Sequence, residues 1–267
     1  MNALDLAVVY AWVLTALVLY MSLWFWRSVV ARRTDTVDQA WGPAFLVAGV
    51  VAGVVSEGFT PTYLLVLALV AVWGGRLFWH IFRRHRATPE DPRYVEIESR
   101  GPGTLLSRYV SIYLLQGVLV ALVGTGVIVF GFAAGTYEIP YTPLVALGAL
   151  VWAVGFTFES VGDAQLRAFL ANPANAGALM TSGLWRYTRH PNYFGEITMW
   201  WGLWLVAFNA AAPVLWIVSA IGPLAITVLI IFVSGIPPIE RAMAGRADFQ
   251  QYAARTSPLV PWFPKGT

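Results

Sequence analysis

The sequence predicts an all-α polytopic membrane protein with seven transmembrane helices, the N-terminus outside and the C-terminus in the cytoplasm. Three observations predict it. Hydrophobic residues make up 58% of the 267 positions and charged residues only 12%, with a mean hydropathy of +0.65, which is too apolar for an ordinary soluble domain. The apolar residues fall in runs long enough to cross a bilayer, separated by Pro, Gly and polar punctuation. Lys and Arg collect on alternate connections, the asymmetry that sets orientation in a membrane.

The first run, Ala3 to Trp26, has no basic leader and no small-residue cleavage site, so it reads as a retained helix and not as a signal peptide. The second, Trp41 to Val55, is short and carries Gly42, Gly49 and Gly53; it must tilt, thin the bilayer or be shielded by neighbours. Tyr63–Phe82, Tyr109–Ala133, Pro143–Val161, Tyr193–Ala211 and Pro213–Val233 complete the series. Arg27, Arg32 and Arg33 follow the first run, and seven arginines from Arg76 to Arg108 lie around the connection between the third and fourth. Arg167, Arg186 and Arg189 lie between the fifth and sixth, and Arg241, Arg246, Arg255 and Lys265 follow the seventh. The opposite connections carry acids such as Glu57 and Glu138, which fixes the orientation. Arg83–Ser107 contains Asp91-Pro92-Arg93-Tyr94 and Gly101-Pro102-Gly103 and reads as a structured loop. A single transmembrane domain over residues 1–267 follows, with four helices in 1–140 and three helices plus a cytoplasmic tail in 141–267.

The chain has no cysteine, which excludes disulfides, zinc thiolates and thiol catalysis. His80, His85 and His190 lack metal-site spacing, so no metal is expected. Nor is a nucleic acid or an obligate protein partner. Without a Rossmann or Walker glycine motif, any nucleotide is held in a membrane-embedded cleft.

The densest chemistry is Thr188-Arg189-His190-Pro191-Asn192-Tyr193-Phe194-Gly195-Glu196. Pro191 suits the first position of a helix and sets Asn192 and Glu196 one turn apart on one face, while the helix start and Arg186 and Arg189 favour a phosphate. Upstream, Glu159, Asp163 and Arg167 recur every four residues and share a face. A carboxylate near the bilayer centre costs about 2.5–3.5 kcal/mol, so this face either pairs internally, Asp163 with Arg167, or walls a ligand cleft. After the seventh run, Glu240, Phe249, Tyr252, Arg255 and Trp262 belong to a segment that is either an interfacial anchor or a cover over that cleft. In the N-terminal half Asp38, Gln39 and Trp41 open the second helix, and Trp73 and His80 end the third; Arg76 and His80 are snorkelling residues or site groups.

Gly183 to Glu196, with Gly162-Asp163 upstream and the Tyr252…Pro261 ending, resembles the C-terminal half of the steroid 5-alpha-reductase superfamily. Over nearly the whole chain, including Asp38…Trp41-Gly42 and Asp91-Pro92-Arg93-Tyr94, it is similar to the bacterial DUF1295 branch. The resemblance implies an NADPH-dependent reductase in a bacterial inner membrane, its cofactor entering from the cytosol and an apolar, steroid-like enone lipid entering from the bilayer. By position, Asp163, Arg167, Tyr187, Asn192 and Glu196 match residues of the NADPH region, and Arg189 and His190 match the sterol C14 and C24 reductases. Tyr252 and Arg255 are expected beside the same cofactor. The steroid enzymes polarise the 3-oxo group with a Glu on helix two and a Tyr on helix three, which have no matching positions here. Asp38 or His80 is the expected acid, with Gln39, Trp41, Trp73 and Glu159 toward the substrate. The expected reaction is hydride transfer to the β carbon of the enone while the acid holds the carbonyl oxygen. Two alternatives remain: a membrane methyltransferase using S-adenosylmethionine on a lipid or an isoprenylcysteine, which shares the His-Pro helix start, and a non-enzymatic lipid-binding or transport protein.

Overall fold

Proline marks where the helices begin. Pro61, Pro143, Pro191 and Pro213 each take the first position of a helix, where the missing N–H is not needed and the fixed φ is already helical. The computed structural model describes residues 3–91, 94–96, 99, 104–137, 142–208 and 211–266. Pro92, Arg93, Arg100, the Gly101-Pro102-Gly103 turn and Glu138 lie outside the described residues. The helices are α1 (Ala3–Ala31), α2 (Thr36–Ser56), α3 (Pro61–Ala87), α4 (Leu105–Val123), α5 (Thr125–Ala134), α6 (Pro143–Ala171), α7 (Pro191–Val206), α8 (Pro213–Met243) and α9 (Ala247–Arg255). Among the described residues there is no strand, only an isolated bridge between Thr188 and Ser257.

Six of these helices, α1, α2, α3, α4, α6 and α8, are long and apolar enough to cross a membrane, which is compatible with an integral membrane protein. The run 193–211 becomes the 16-residue α7. The run 109–133 is not one helix. It opens with a π-helical stretch, Tyr109–Leu114, and breaks at Gly124, whose ψ of 0° departs from the helical value. Beyond that break α5 is buried along nearly its whole length.

The chain divides into two compact units, residues 1–142 with 207–222, and residues 143–206 with 223–267. In the first unit α2 is the most enclosed span, half of it buried, and shielding by neighbours is how its short apolar run is accommodated. Gly42 permits this. A Cβ there would lie 2.6 Å from the Gly74 carbonyl oxygen, so the α2 and α3 backbones touch. Two turns further along α2, the Tyr63 hydroxyl donates to the Gly49 carbonyl at 2.8 Å.

In the second unit the pairing of α6 with α7 sets the geometry. Gly148, Gly155 and Gly162 recur every seven residues on α6 and meet Gly202, Gly195 and the start of α7. A Cβ on Gly155 would stand 2.5 Å from the Gly195 oxygen, and one on Gly202 would stand 2.6 Å from the Trp152 nitrogen. No side chain separates the helices at these points. The register brings the buried carboxylates Glu159 and Asp163 against Gly195 and Asn192. α6 runs ten residues beyond its apolar stretch and stops before Asn172-Pro173, where the Asn172 side chain caps the Ala174 N–H at 3.0 Å.

Candidate functional site

Segment 183–190 is tied down on both sides. Trp185 donates its indole N–H to the Gly162 carbonyl at 3.1 Å, and the Leu184 N–H donates to the Gln165 side chain at 2.9 Å, which fastens the segment to α6. From the other side, Arg189 N–H donates to Ser257 O at 2.9 Å, Thr188 Oγ1 to Leu259 O at 2.7 Å, and Tyr252 hydroxyl to Trp185 O. Burial raises the Tyr252 hydroxyl pKa above its ordinary value. The tail is therefore part of the site and not a loose appendage.

At the centre, Glu240 near the end of α8 accepts from Arg189 Nε at 2.8 Å and faces His190 Nε2 at 3.1 Å, both through Oε1. Arg189 also donates to the carbonyls of Ala253 at 3.1 Å and Thr256 at 2.6 Å, capping the end of α9. Its guanidinium is thus committed to holding α8, α9 and the α7 start together. Burial lowers the His190 pKa, Glu240 pulls it back up, and the Arg189 charge lowers it further; the net direction is down. The imidazole is accordingly neutral near pH 7, stacked 5.5 Å from Tyr193.

Beside this cluster is a cavity of about 270 Å³ between the end of α6, residues 178–190, the α7 start, α8 and α9. Its walls are mostly apolar, with Leu166, Phe169, Met180, Trp185 and Phe249 among them, and Arg189, His190, Asn192, Arg246 and Tyr252 supply the polar groups. Asn192 Nδ2 donates to Asp163 Oδ1 at 3.2 Å, which fixes the amide, and Asn192 Oδ1 is buried with no hydrogen-bond partner. An amide oxygen held in that state is an acceptor waiting for a donor.

Of the residues expected around a cofactor, the structure brings Arg189, His190, Asn192 and Tyr252 to this cavity, with Asp163 directly behind Asn192. Arg167 is exposed, and Tyr187, Glu196 and Arg255 are not among the cavity-lining residues. Arg246, which the sequence offers only as an orientation charge, stands at its rim, bonded to Gly177 O at 2.8 Å and to Asp248.

The first unit holds its own polar cluster. Arg33 makes a two-pronged contact with Asp35, at 3.1 and 2.8 Å, and caps the α3 end through the carbonyls of His85 at 2.7 Å and Thr88 at 3.2 Å. Gln39 is held between Arg27 at 3.2 Å and His85 Nδ1 at 2.8 Å. Asp38 accepts from the Tyr94 hydroxyl and faces Arg84 at 3.8 Å. Trp73 packs on Phe45, which also meets Trp41, and His80 is half-buried on α3.

A family model described as a protein of unknown function, DUF1295, matches residues 23–256. The chain belongs to the DUF1295 family. The match takes in both the Arg33–Asp35 cluster and the Arg189–Glu240 cluster of this DUF1295 protein. A stretch of 58 residues is 40% identical to a probable O-methyltransferase, ustE, of Ustilaginoidea virens, covering 22% of the DUF1295 chain and 20% of that protein. The alignment thus spans a fifth of the curated relative. No solved structure matches.

Proposed function

We propose that this DUF1295 protein is an enzyme of the bacterial inner membrane whose second unit binds NADPH to reduce a carbon–carbon double bond in an apolar, steroid-like or other enone lipid. Asn192 carries the reading. It lines a mostly apolar cavity of about 270 Å³ with charges at its rim, its amide is held by Asp163, and its buried Oδ1 has no hydrogen-bond partner. An acceptor beside apolar walls suits a flat heteroaromatic ring bearing an exocyclic N–H, and the volume is near the lower end of small-molecule sites. The residues present therefore fit one end of a dinucleotide. Leu166, Phe169 and Trp185 would flank the ring, Asn192 would accept its N–H, and Arg246 would meet phosphate. Arg189, His190 and Glu240 hold the wall. NADPH supplies the hydride when bound. The acid expected from the sequence, Asp38 or His80, belongs to the first unit, where Asp38 accepts from the Tyr94 hydroxyl and faces Arg84. In this reading α7 is the seventh span and the arginine-rich connections are cytoplasmic.

The similarity to a probable O-methyltransferase favours a second reading, in which the same slot takes the adenosine of S-adenosylmethionine. One titration separates the two. Thermal unfolding of the protein in lipid nanodiscs is followed with NADPH, NADH or S-adenosylmethionine; a ligand at one hundred times its Kd stabilises by about 2.7 kcal/mol. NADPH is expected to raise the midpoint and Asn192→Ala to abolish the rise. A rise with S-adenosylmethionine alone would replace the reductase by the methyltransferase, and no rise with any of them would leave a lipid-binding or transport protein.

A further inference from the structure

The structure turns the two halves of the tail in opposite directions. Phe249 and Tyr252 on α9 are buried against the cavity, whereas Val260, Trp262 and Phe263 are 59%, 73% and 77% exposed. These three are not on a loose end. The Trp262 N–H donates to Tyr187 O at 2.9 Å and the Lys265 N–H donates to Arg255 O at 3.0 Å, so the backbone that presents them is pinned at two points. Phe263 stands edge-on to Tyr187 at 5.9 Å, and the Arg186 guanidinium lies 6.0 Å from the Tyr187 ring centre. The two stretches of chain that present these groups carry one sign of charge. No Asp or Glu occurs between Asp163 and Glu196 or after Asp248, while Arg186, Arg255 and Lys265 are all exposed.

We propose that residues 260–265 form a fixed strap that seats Trp262 and Phe263 in the headgroup boundary of an anionic membrane leaflet, with Arg186, Arg255 and Lys265 on the lipid phosphates. Large rings belong at that boundary, and cations beside them draw it to anionic lipid. Ordering these rings in advance removes the entropy loss that a mobile tail would suffer on insertion. Because the Tyr187 carbonyl that pins the strap lies two residues before Arg189, the leaflet would steady the cavity wall. The inference rests on the membrane reading above but not on which cofactor is bound.

The absence of cysteine gives a clean test. Spin labels are placed at Trp262→Cys and, as an exposed control on α9, at Gln250→Cys, in nanodiscs without cofactor. In phosphatidylglycerol discs the label at 262 is expected to collide with oxygen more than with a water-soluble nickel chelate, and the label at 250 the reverse. Adding Arg255→Gln and Lys265→Gln to the 262 variant should weaken its insertion by about fivefold per charge removed, with the label at 250 unmoved. A label at 262 that reports water in these discs overturns the proposal, and so does dipolar broadening that shows a second copy of the chain covering the patch. Neither result bears on NADPH binding, which the thermal titration reads separately.

Discussion

Each unit contains an arginine, a histidine and a carboxylate in contact, and the two clusters are built in opposite ways. In the first unit the acid and the arginine are neighbours in sequence: Arg33 forks onto Asp35, and the distant partner is His85, 3.5 Å away. In the second unit the arginine and histidine are adjacent, and the acid, Glu240, arrives from another helix to serve both through one oxygen. The Asp35 side chain is 1% exposed and the Glu240 side chain 25%. The first arrangement closes the α1–α2 turn and consumes its carboxylate, which also accepts the Asp91 N–H at 3.1 Å. The second braces a wall beside a cavity and leaves a neighbouring acceptor, Asn192 Oδ1, unmatched. The same three kinds of ionisable group thus make a knot in one place and a frame in the other. The difference lies in what stands next to them.

Breaking each cluster separately tests that contrast. Arg33→Ala strands a fully buried carboxylate and is expected to have the largest effect, a loss of about 3–5 kcal/mol, read as a fall in unfolding midpoint with or without ligand. Glu240→Ala should cost less, about 2–3 kcal/mol, because its site is partly open to solvent. It should also abolish the NADPH-induced rise, while Glu240→Gln, which keeps an acceptor for Arg189, should retain most of that rise. If Arg33→Ala suppressed the ligand response as fully as Glu240→Ala, the assignment of frame to one cluster and knot to the other would fail.

Much of the frame is visible in the sequence because it is contiguous. Pro191 at a helix start, Asn192 on the inward face and the apolar runs on either side are local patterns, and the structure has α7 starting at Pro191 with Asn192 on the cavity. The partners of those residues are not local. The sequence shows Arg189 as a cation beside a helix start, suited to phosphate, and offers Glu240 only within a segment that anchors or covers the cleft; nothing local pairs it with Arg189, 51 residues earlier, whose charge it takes up. For the same reason Arg33 reads as an orientation signal, and His85 is passed over for His80, one turn earlier. The break at Gly124 is invisible to hydropathy, since both sides are apolar. The recurrence of Gly148, Gly155 and Gly162 is printed in the sequence, but only the facing Gly195 and Gly202 tell it apart from the other glycines of a chain that has 24.

The smallest effect should come from acid, and it should arrive in two windows, His190 contributing to the upper and Asp35 to the lower. Burial lowers the pKa of His190 below the ordinary 6.5, against the pull of Glu240 and with the help of Arg189. Burial pushes Asp35 up, but the Arg33 hydrogen bonds, the Asp91 N–H and the charges of His85 and Arg33 together hold it below the ordinary 3.8. Both folded values are depressed, so in each window the unfolded chain binds more protons and stability falls with pH. The His190 contribution is complete above 6.5 and is lost as pH falls from there toward its folded value. That of Asp35 persists until pH drops below 3.8. Each step has a slope of at most about 1.4 kcal/mol per pH unit for one proton. Unfolding midpoints measured from pH 8 down to pH 3 should show a smaller upper step in His190→Gln and a smaller lower one in Asp35→Asn. An upper step left unchanged in His190→Gln would move the proton uptake to another group and remove the neutral imidazole from the frame cluster.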